Sequence, residues 1–325
     1  MGQQVRKRSQ GSISYQKNSV STLSLSRGMV YREIYINLTG QPTLLAANNT
    51  AAKTLWGDEW SIVKRIELVA NNTDVLRSFS GNSLWWINFT KMGMTPPTTA
   101  LMADGATANV SFDSTLVLPL WMPRCIRPMD TALDARVLSD LKLRITWGDS
   151  TDLNADAAAW TTDPQINVHS YESFNVQGPF SQWRSYEIEK EITATNPQFQ
   201  VSLPVGPMYR GFLLNFTDAG KDDGDILNNL KILSGTTVFA DVPERILEQA
   251  EALRTQNVYQ NARKGTTYNS ADGWYYYDHI GDGYLSEAID TLGFSEMTLE
   301  MDVTVGAGTT KVLVIPDQIY PVRKK

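Results

Sequence analysis

The chain has 325 residues, of which 42% are hydrophobic and 20% charged, enough apolar surface for a sizeable core and too little charge for wholesale disorder. No run of roughly 20 mostly apolar residues exists, which excludes a membrane-spanning helix, and the single Cys125 excludes an intrachain disulfide and a thiolate zinc cluster. Charge is uneven: residues 1–32 hold Arg6, Lys7, Arg8, Lys17, Arg27 and Arg32 and no acid, and the chain ends in Arg323, Lys324 and Lys325. With a formal charge of −6 overall, the stretch between these ends carries −15. An acidic body with basic ends fits either solvated tails or contact with a polyanion, nucleic acid or an anionic lipid surface.

In chain order, the basic N-terminal stretch lacks the apolar core of a secretory signal. Its Ser-rich segments at 12–15 and 21–26 alternate as strands do. Residues 31–39 alternate around Ile34, Ile36 and Leu38, and 62–69 form a further strand candidate. Residues 79–89, with Trp85 and Trp86, fit a helix. Strands are expected at 110–118 and 141–147, the latter apolar at every second position. Further strands are expected at 186–193, 198–203, 273–278, 297–305 and 311–315. A second helix is expected after Asp241 as cap and Pro243 in the first turn, with Ile246, Leu247, Ala250 and Leu253 as its apolar stripe. Gly, Pro, Asn and Asp fill the connections.

The strongest signal is an internal repeat. Ser24, Leu25, Gly28, Tyr31, Arg32, Asn37 and Thr39 recur as Ser202, Leu203, Gly206, Tyr209, Arg210, Asn215 and Thr217, all 178 residues later. Residues 62–69 resemble 226–233 at an offset of 164, with Asp74 and Val75 facing Asp241 and Val242 just beyond. Leu133, Asp134, Ser139, Asp140, Leu141 and Leu143 match Ile289, Asp290, Ser295, Glu296, Met297 and Leu299 at an offset of 156. Three blocks in one order, with falling offsets, mean two copies of one unit, the first carrying longer insertions. The expected fold is all-β: two tandem eight-stranded jelly-roll sandwiches, each with an inserted helix. The junction is placed near Gln177, Gly178 and Pro179. Residues 1–177 then form an N-terminal roll with a basic arm, and 178–325 a C-terminal roll with a basic tail.

Catalytic chemistry finds no footing. Cys125, His169 and His279 lack a nucleophile–base signature or metal-ligand spacing, and structural roles are expected for them. Asp218, Asp222, Asp223 and Asp225 lie among glycines and make a weak calcium candidate, chiefly Asp222, Asp223 and Asp225, without an EF-hand pattern. Asp278 and Asp282 stand in similar company. No phosphate loop or dinucleotide fingerprint occurs, so no cofactor is expected. Asn-x-Ser/Thr at Asn37, Asn48, Asn71, Asn88, Asn109 and Asn215 is read as β composition and not as glycan sites. Aromatic bands at Trp85–Trp86, Trp56 with Trp60, and 275–277 fit either large interfaces or a sandwich core.

On the matched pairs quoted above, chiefly Tyr31-Arg32 with Tyr209-Arg210 and the strands at Leu141 and Met297, the chain resembles the double jelly-roll major capsid proteins of tailless icosahedral viruses with an internal membrane. Those of bacteriophage PM2 and the lipid-containing Flavobacterium phage are nearest in size. The resemblance covers the whole chain and rests on architecture. It implies a homotrimeric pseudo-hexagonal capsomer contacting neighbouring capsomers and minor capsid and vertex proteins. It also implies a place in the virion capsid, assembly in the host cytoplasm and no direct sequence-specific nucleic-acid binding. Arg6, Lys7, Arg8, Arg323, Lys324 and Lys325 would face the internal lipid membrane. The alternatives are a tandem jelly-roll glycan-acting hydrolase, disfavoured by the missing signal peptide and disulfides, and a lectin-like carbohydrate-binding protein.

Overall fold

The computed structural model describes residues 4–44, 58–93, 96, 111–153, 157–222, 224–255, 260–261, 266–267, 273–281 and 283–321. It divides into two units, Met1–Pro123 with Pro128–Phe180, and Arg124–Arg127 with Ser181–Lys325.

The first unit runs β1 (Gln4–Ser14), β2 (Val20–Ser24), β3 (Val30–Leu44), β4 (Val63–Ala70), β5 (Asp74–Phe79), α1 (Gly81–Met92), β6 (Phe112–Pro119), β7 (Leu133–Asp134), β8 (Leu141–Trp147), α2 (Ser150–Leu153) and β9 (Ala157–Phe174). One sheet has the order β1-β9-β3-β6, with β7 also on β3. A second has the order β2-β8-β4-β5. Apart from the β4–β5 hairpin and the short β7, which follows β6 onto β3, strands alternate between the two sheets along the chain, which is the winding of a jelly roll.

The second unit runs β10 (Gln182–Tyr186), β11 (Ile188–Ile192), β12 (Asn196–Leu203), β13 (Met208–Asp218), β14 (Lys221–Asp222), β15 (Leu227–Ser234), β16 (Thr237–Pro243), α3 (Glu244–Thr255), β17 (Gln260–Asn261), β18 (Thr266–Thr267), β19 (Trp274–Asp278), β20 (Ile289–Asp290), β21 (Met297–Val303) and β22 (Thr310–Tyr320). Its sheets have the orders β11-β22-β13-β19 and β12-β21-β15-β16. The second unit is therefore a jelly roll of the same winding, with β10 also on β22 and β20 also on β13.

The duplication extends to register. Leu143 pairs with Leu23 on one side and Leu68 on the other; Leu299 pairs with Val201 and Ile232. The three sequence offsets of the repeat thus describe three neighbouring strands. Tyr31 faces Leu133 on β7, and Tyr209 faces Ile289 on β20. One sequence match fails. Across the β4–β5 ladder Val75 faces Val69, and across β15–β16 Val238 faces Leu233, so the counterpart of Val75 is Val238 and not Val242. Both ladders break register at one matched place, between Leu68 and Val69 and between Ile232 and Leu233. That irregularity is shared and cancels; the turn differs, with three residues (71–73) between Ala70 and Asp74 but two (235–236) between Ser234 and Thr237, which shifts the following strand by one and hides the correspondence.

The entry to the long central strand is built alike in both rolls. The Tyr31 hydroxyl donates to the Ser26 carbonyl, and Tyr209 donates to the Pro204 carbonyl at 2.6 Å, each five residues back. Between donor and acceptor stand Gly28 and Gly206, with φ of 97° and 111°. Open space surrounds both positions, so backbone conformation alone demands glycine there. Inward residues of β3, β4, β8 and β9 make the first core, among them Ile36, Leu68, Leu143 and Val168. Phe212, Leu214, Ile232, Leu299, Met301 and Val314 lead the second.

The helices occur where expected but differ in burial. α1 is buried along its length; Ser80 caps it by accepting the Ser83 amide hydrogen, and Gly93 ends it in the left-handed region. Its Asn88 side chain hydrogen-bonds both backbone groups of Val117 on β6, at 2.7 and 2.8 Å. In α3 only Leu247 of the expected stripe is buried; Ile246 and Ala250 are exposed, and Leu253 is 82% exposed. Asp241 is not the cap: it lies within β16 and accepts from Asn229 at 2.7 Å. The strand expected at 186–193 is β11, and β10 precedes it, ending at Tyr186. The basic arm is likewise a strand, because β1 pairs along its length with β9.

Leu143→Ala and Leu299→Ala should each cost about 2–5 kcal/mol, Tyr31→Phe and Tyr209→Phe about 1 kcal/mol each, and Leu253→Ala no more than about 0.5 kcal/mol. Urea unfolding of the five variants checks the ranking; a Leu253 effect as large as that of Leu299 would contradict the assigned burial.

Candidate functional site

The three basic residues of β1 have different fates. Alternation puts Arg6 on one face and Lys7 on the other. Arg6 grips Glu172 of β9 through Nη2 at 2.7 Å and Nε at 3.2 Å. The Glu172 carboxylate is fully buried and also accepts from Gln10 at 2.9 Å and Ser170 at 2.7 Å. Arg6 is therefore committed to an internal ion pair. Lys7 is exposed, with Nζ 5.5 Å from the centre of the Tyr35 ring and 5.6 Å from that of Tyr171. Neither Lys7 nor Arg8 forms an ion pair among the described residues, so both keep charge available for a negative partner. Arg323, Lys324 and Lys325 lie outside the described residues.

Of the acidic loop, Asp218 is committed to the Gly308 amide at 2.9 Å and the Thr310 hydroxyl at 3.2 Å. Asp222 belongs to β14, Asp225 is exposed, and Asp223 and Asp282 lie outside the described residues. Among the described residues no group of three His, Cys, Asp or Glu side chains is arranged to hold a metal ion.

Cys125 is buried, with Arg210 Nη1 at 3.5 Å from its sulfur. His169 is exposed on β9. His279 pairs through Nδ1 with the Tyr277 hydroxyl at 2.8 Å, and burial lowers its pKa. The aromatic bands are core: Trp60, Trp85, Trp86, Tyr275 and Tyr276 are all buried, while Trp56 lies outside the described residues. Asn88 is buried, Asn37 reaches Asp113 and Thr115 on the neighbouring strand, and Asn215 reaches the Gly273 carbonyl.

The sequence marks Arg32 and Arg210 as a repeated pair but does not show that their partners differ. Arg210 holds Asp278 by a two-point fork, Nε to Oδ1 at 3.1 Å and Nη2 to Oδ2 at 2.9 Å. Arg32 makes no such pair. Asp278 faces Gly211 across β13–β19, and Pro119 faces Glu33 across β3–β6, so Pro119 stands where the second roll has its acid. Aligning Pro119 with Asp278 would have exposed the difference, but no similar residues flank the two.

No family model matches the sequence, and no curated protein matches it either. Solved structures do. The STIV MCP is similar over 98% of this chain and 97% of its own, at 14% identity and a TM-score of 0.72. A chain of Sulfolobus Turreted Icosahedral Virus aligns over 98% of this chain and 91% of its own, at 12% identity and a TM-score of 0.74. The major capsid protein P2 from bacteriophage PM2 aligns over 99% of both chains, at 11% identity and a TM-score of 0.66. The chain has the double jelly-roll fold of viral major capsid proteins. This double jelly roll is matched over its whole length, both rolls included.

Two results should follow from the charges. Arg6→Ala strands the Glu172 carboxylate and should cost about 2 kcal/mol or more in thermal or urea unfolding, whereas Lys7→Ala should cost little. Hydrogen bonds from Arg136, Lys142 and Lys17 hold Asp134, Asp140 and Asp149 below the ordinary carboxylate value of 3.8. Their stabilisation is complete above that pH and is lost as the pH falls through their lowered values. Unfolding free energy measured from pH 6 to pH 2 should therefore stay level from these groups above about pH 5 and drop below about pH 4.

Proposed function

We propose that this chain is a major capsid protein, a structural subunit of an icosahedral virus shell with no catalytic role. The observation that carries the reading is the whole-length likeness to viral capsid chains, which runs through both rolls. The hydrolase and lectin readings gain no such support. The site of action is the virion capsid, with assembly in the host cytoplasm.

The partners follow from duplication. Two like rolls in each of three chains present six similar edges, which suits a homotrimer that tiles a hexagonal lattice. Minor capsid and vertex proteins would complete the shell. An internal lipid membrane is the proposed counterpart of the basic groups: Lys7, Arg8, Arg323, Lys324 and Lys325 supply the attraction, while Arg6 is held by Glu172. Each cation near an anionic bilayer contributes about 1 kcal/mol, screened beyond a Debye length.

Purified protein should run as a trimer or larger in light scattering; a monomer at micromolar concentration would contradict the assembly. In flotation with anionic vesicles at low salt, Lys7→Ala with Arg8→Ala should weaken binding by about 30-fold per chain, from about 1 kcal/mol per charge. Neutral vesicles should bind neither form. Equal binding of wild type and double variant would remove the basic strand from the membrane contact.

A further inference from the structure

Arg32 lies at the start of β3 and is only 9% exposed. A buried cation is costly unless it is paired. Its guanidinium carbon sits 4.9 Å from the Trp121 ring centre and 5.2 Å from that of Tyr171, and Nε donates to the Ser173 hydroxyl at 2.5 Å. Ring faces offset part of that cost. The fork of terminal nitrogens, shaped to grip a carboxylate at two points, meets none among the described residues. Glu33, next in sequence, is occupied: its carboxylate accepts from the Tyr35 hydroxyl at 2.8 Å and the Trp121 indole at 3.0 Å, and forms no ion pair with Arg32. Lys7 places a second cation against the same Tyr171 ring.

The second roll shows what this position does when complete, because Arg210 there holds Asp278. In the first roll the matched residue is Pro119. We propose that Arg32 receives a carboxylate from outside its own chain, supplied by an acidic side chain of a neighbouring copy. This rests on the shell-building reading above. Charge supports the source: residues 33–322 carry −15, so a neighbouring copy presents acids in excess, complementary to the Arg32 guanidinium. A carboxylate and not a phosphate is inferred because a carboxylate fills the sister position.

The test compares Arg32→Gln, Arg32→Lys and Pro119→Asp with wild type, measuring dissociation of the assembled protein on dilution by sedimentation and the Tm of the dissociated chain. Arg32→Gln should weaken association by about tenfold or more, and Arg32→Lys by less. Pro119→Asp should weaken it as well, by supplying the acid from within the chain, while raising the Tm of the dissociated chain. Association within twofold of wild type for both Arg32→Gln and Pro119→Asp would overturn the inference and leave the shell reading standing. Weakening by Arg32→Gln with a lowered Tm, but none by Pro119→Asp, would assign Arg32 a role in folding only and would also overturn it. So would a rise in the Tm of wild type, but not of Arg32→Gln, with inorganic phosphate and no change in association. A wild type that never self-associates would remove the shell reading and this inference together.

Discussion

One constraint organises both rolls: the alternation of β8 and β21 between their neighbouring strands. Leu141, Leu143, Ile145 and Trp147 are buried on one face of β8, and Met297, Leu299, Met301 and Val303 on one face of β21. A slip of one residue would send each set to solvent and bring Lys142, Arg144 and Thr146, or Thr298, Glu300 and Asp302, into the core. Fully burying a side chain of this size is worth about 1.5–3 kcal/mol. Register is therefore held by several such terms at once, and it fixes the partners on both sides. That is why three separate sequence offsets resolve into one pairing pattern used twice.

Where the copies differ, packing gives the reason. α1 is buried on every side and anchors β6 through Asn88, so its aromatic residues belong to the core. α3 starts and ends at the corresponding positions, but among its described side chains only Leu247 joins the core, and Ile246 and Leu253 are exposed. The arginines diverge in the same manner: Arg210 is satisfied inside its roll, and Arg32 is not. On the proposed assembly the two rolls would form similar but non-identical edges, and this asymmetry would distinguish them, since two identical copies would offer identical contacts.

Much of the fold was legible because its signals are local. Strict alternation marked β8 and β21, and the sevenfold match around Tyr31 and Tyr209 marked a turn whose glycines and hydroxyl–carbonyl ties leave few other residues possible. The parts that escaped depend on contacts distant in sequence. Alternation in β1 did not reveal its pairing with β9, because the pair is set by Glu172 and Ser170, over 160 residues away. The stripe on α3 looked like a buried face because spacing alone cannot show whether a partner covers it. Asp241 looked like a cap because a capping residue and a strand residue flanking Pro243 have the same local sequence. The candidate site was the least legible part: six basic residues at the two ends looked equivalent, and only geometry separates the committed Arg6 from the available Lys7.

The central claim is that two register-matched rolls make one shell-forming subunit. Electron cryomicroscopy of the purified, assembled protein tests it most directly. The account predicts trimers with six-fold-like outline, each chain contributing two rolls in which Tyr31 and Tyr209, and Leu143 and Leu299, occupy matching strands. Monomers, or rings with one roll per lattice position, would contradict it.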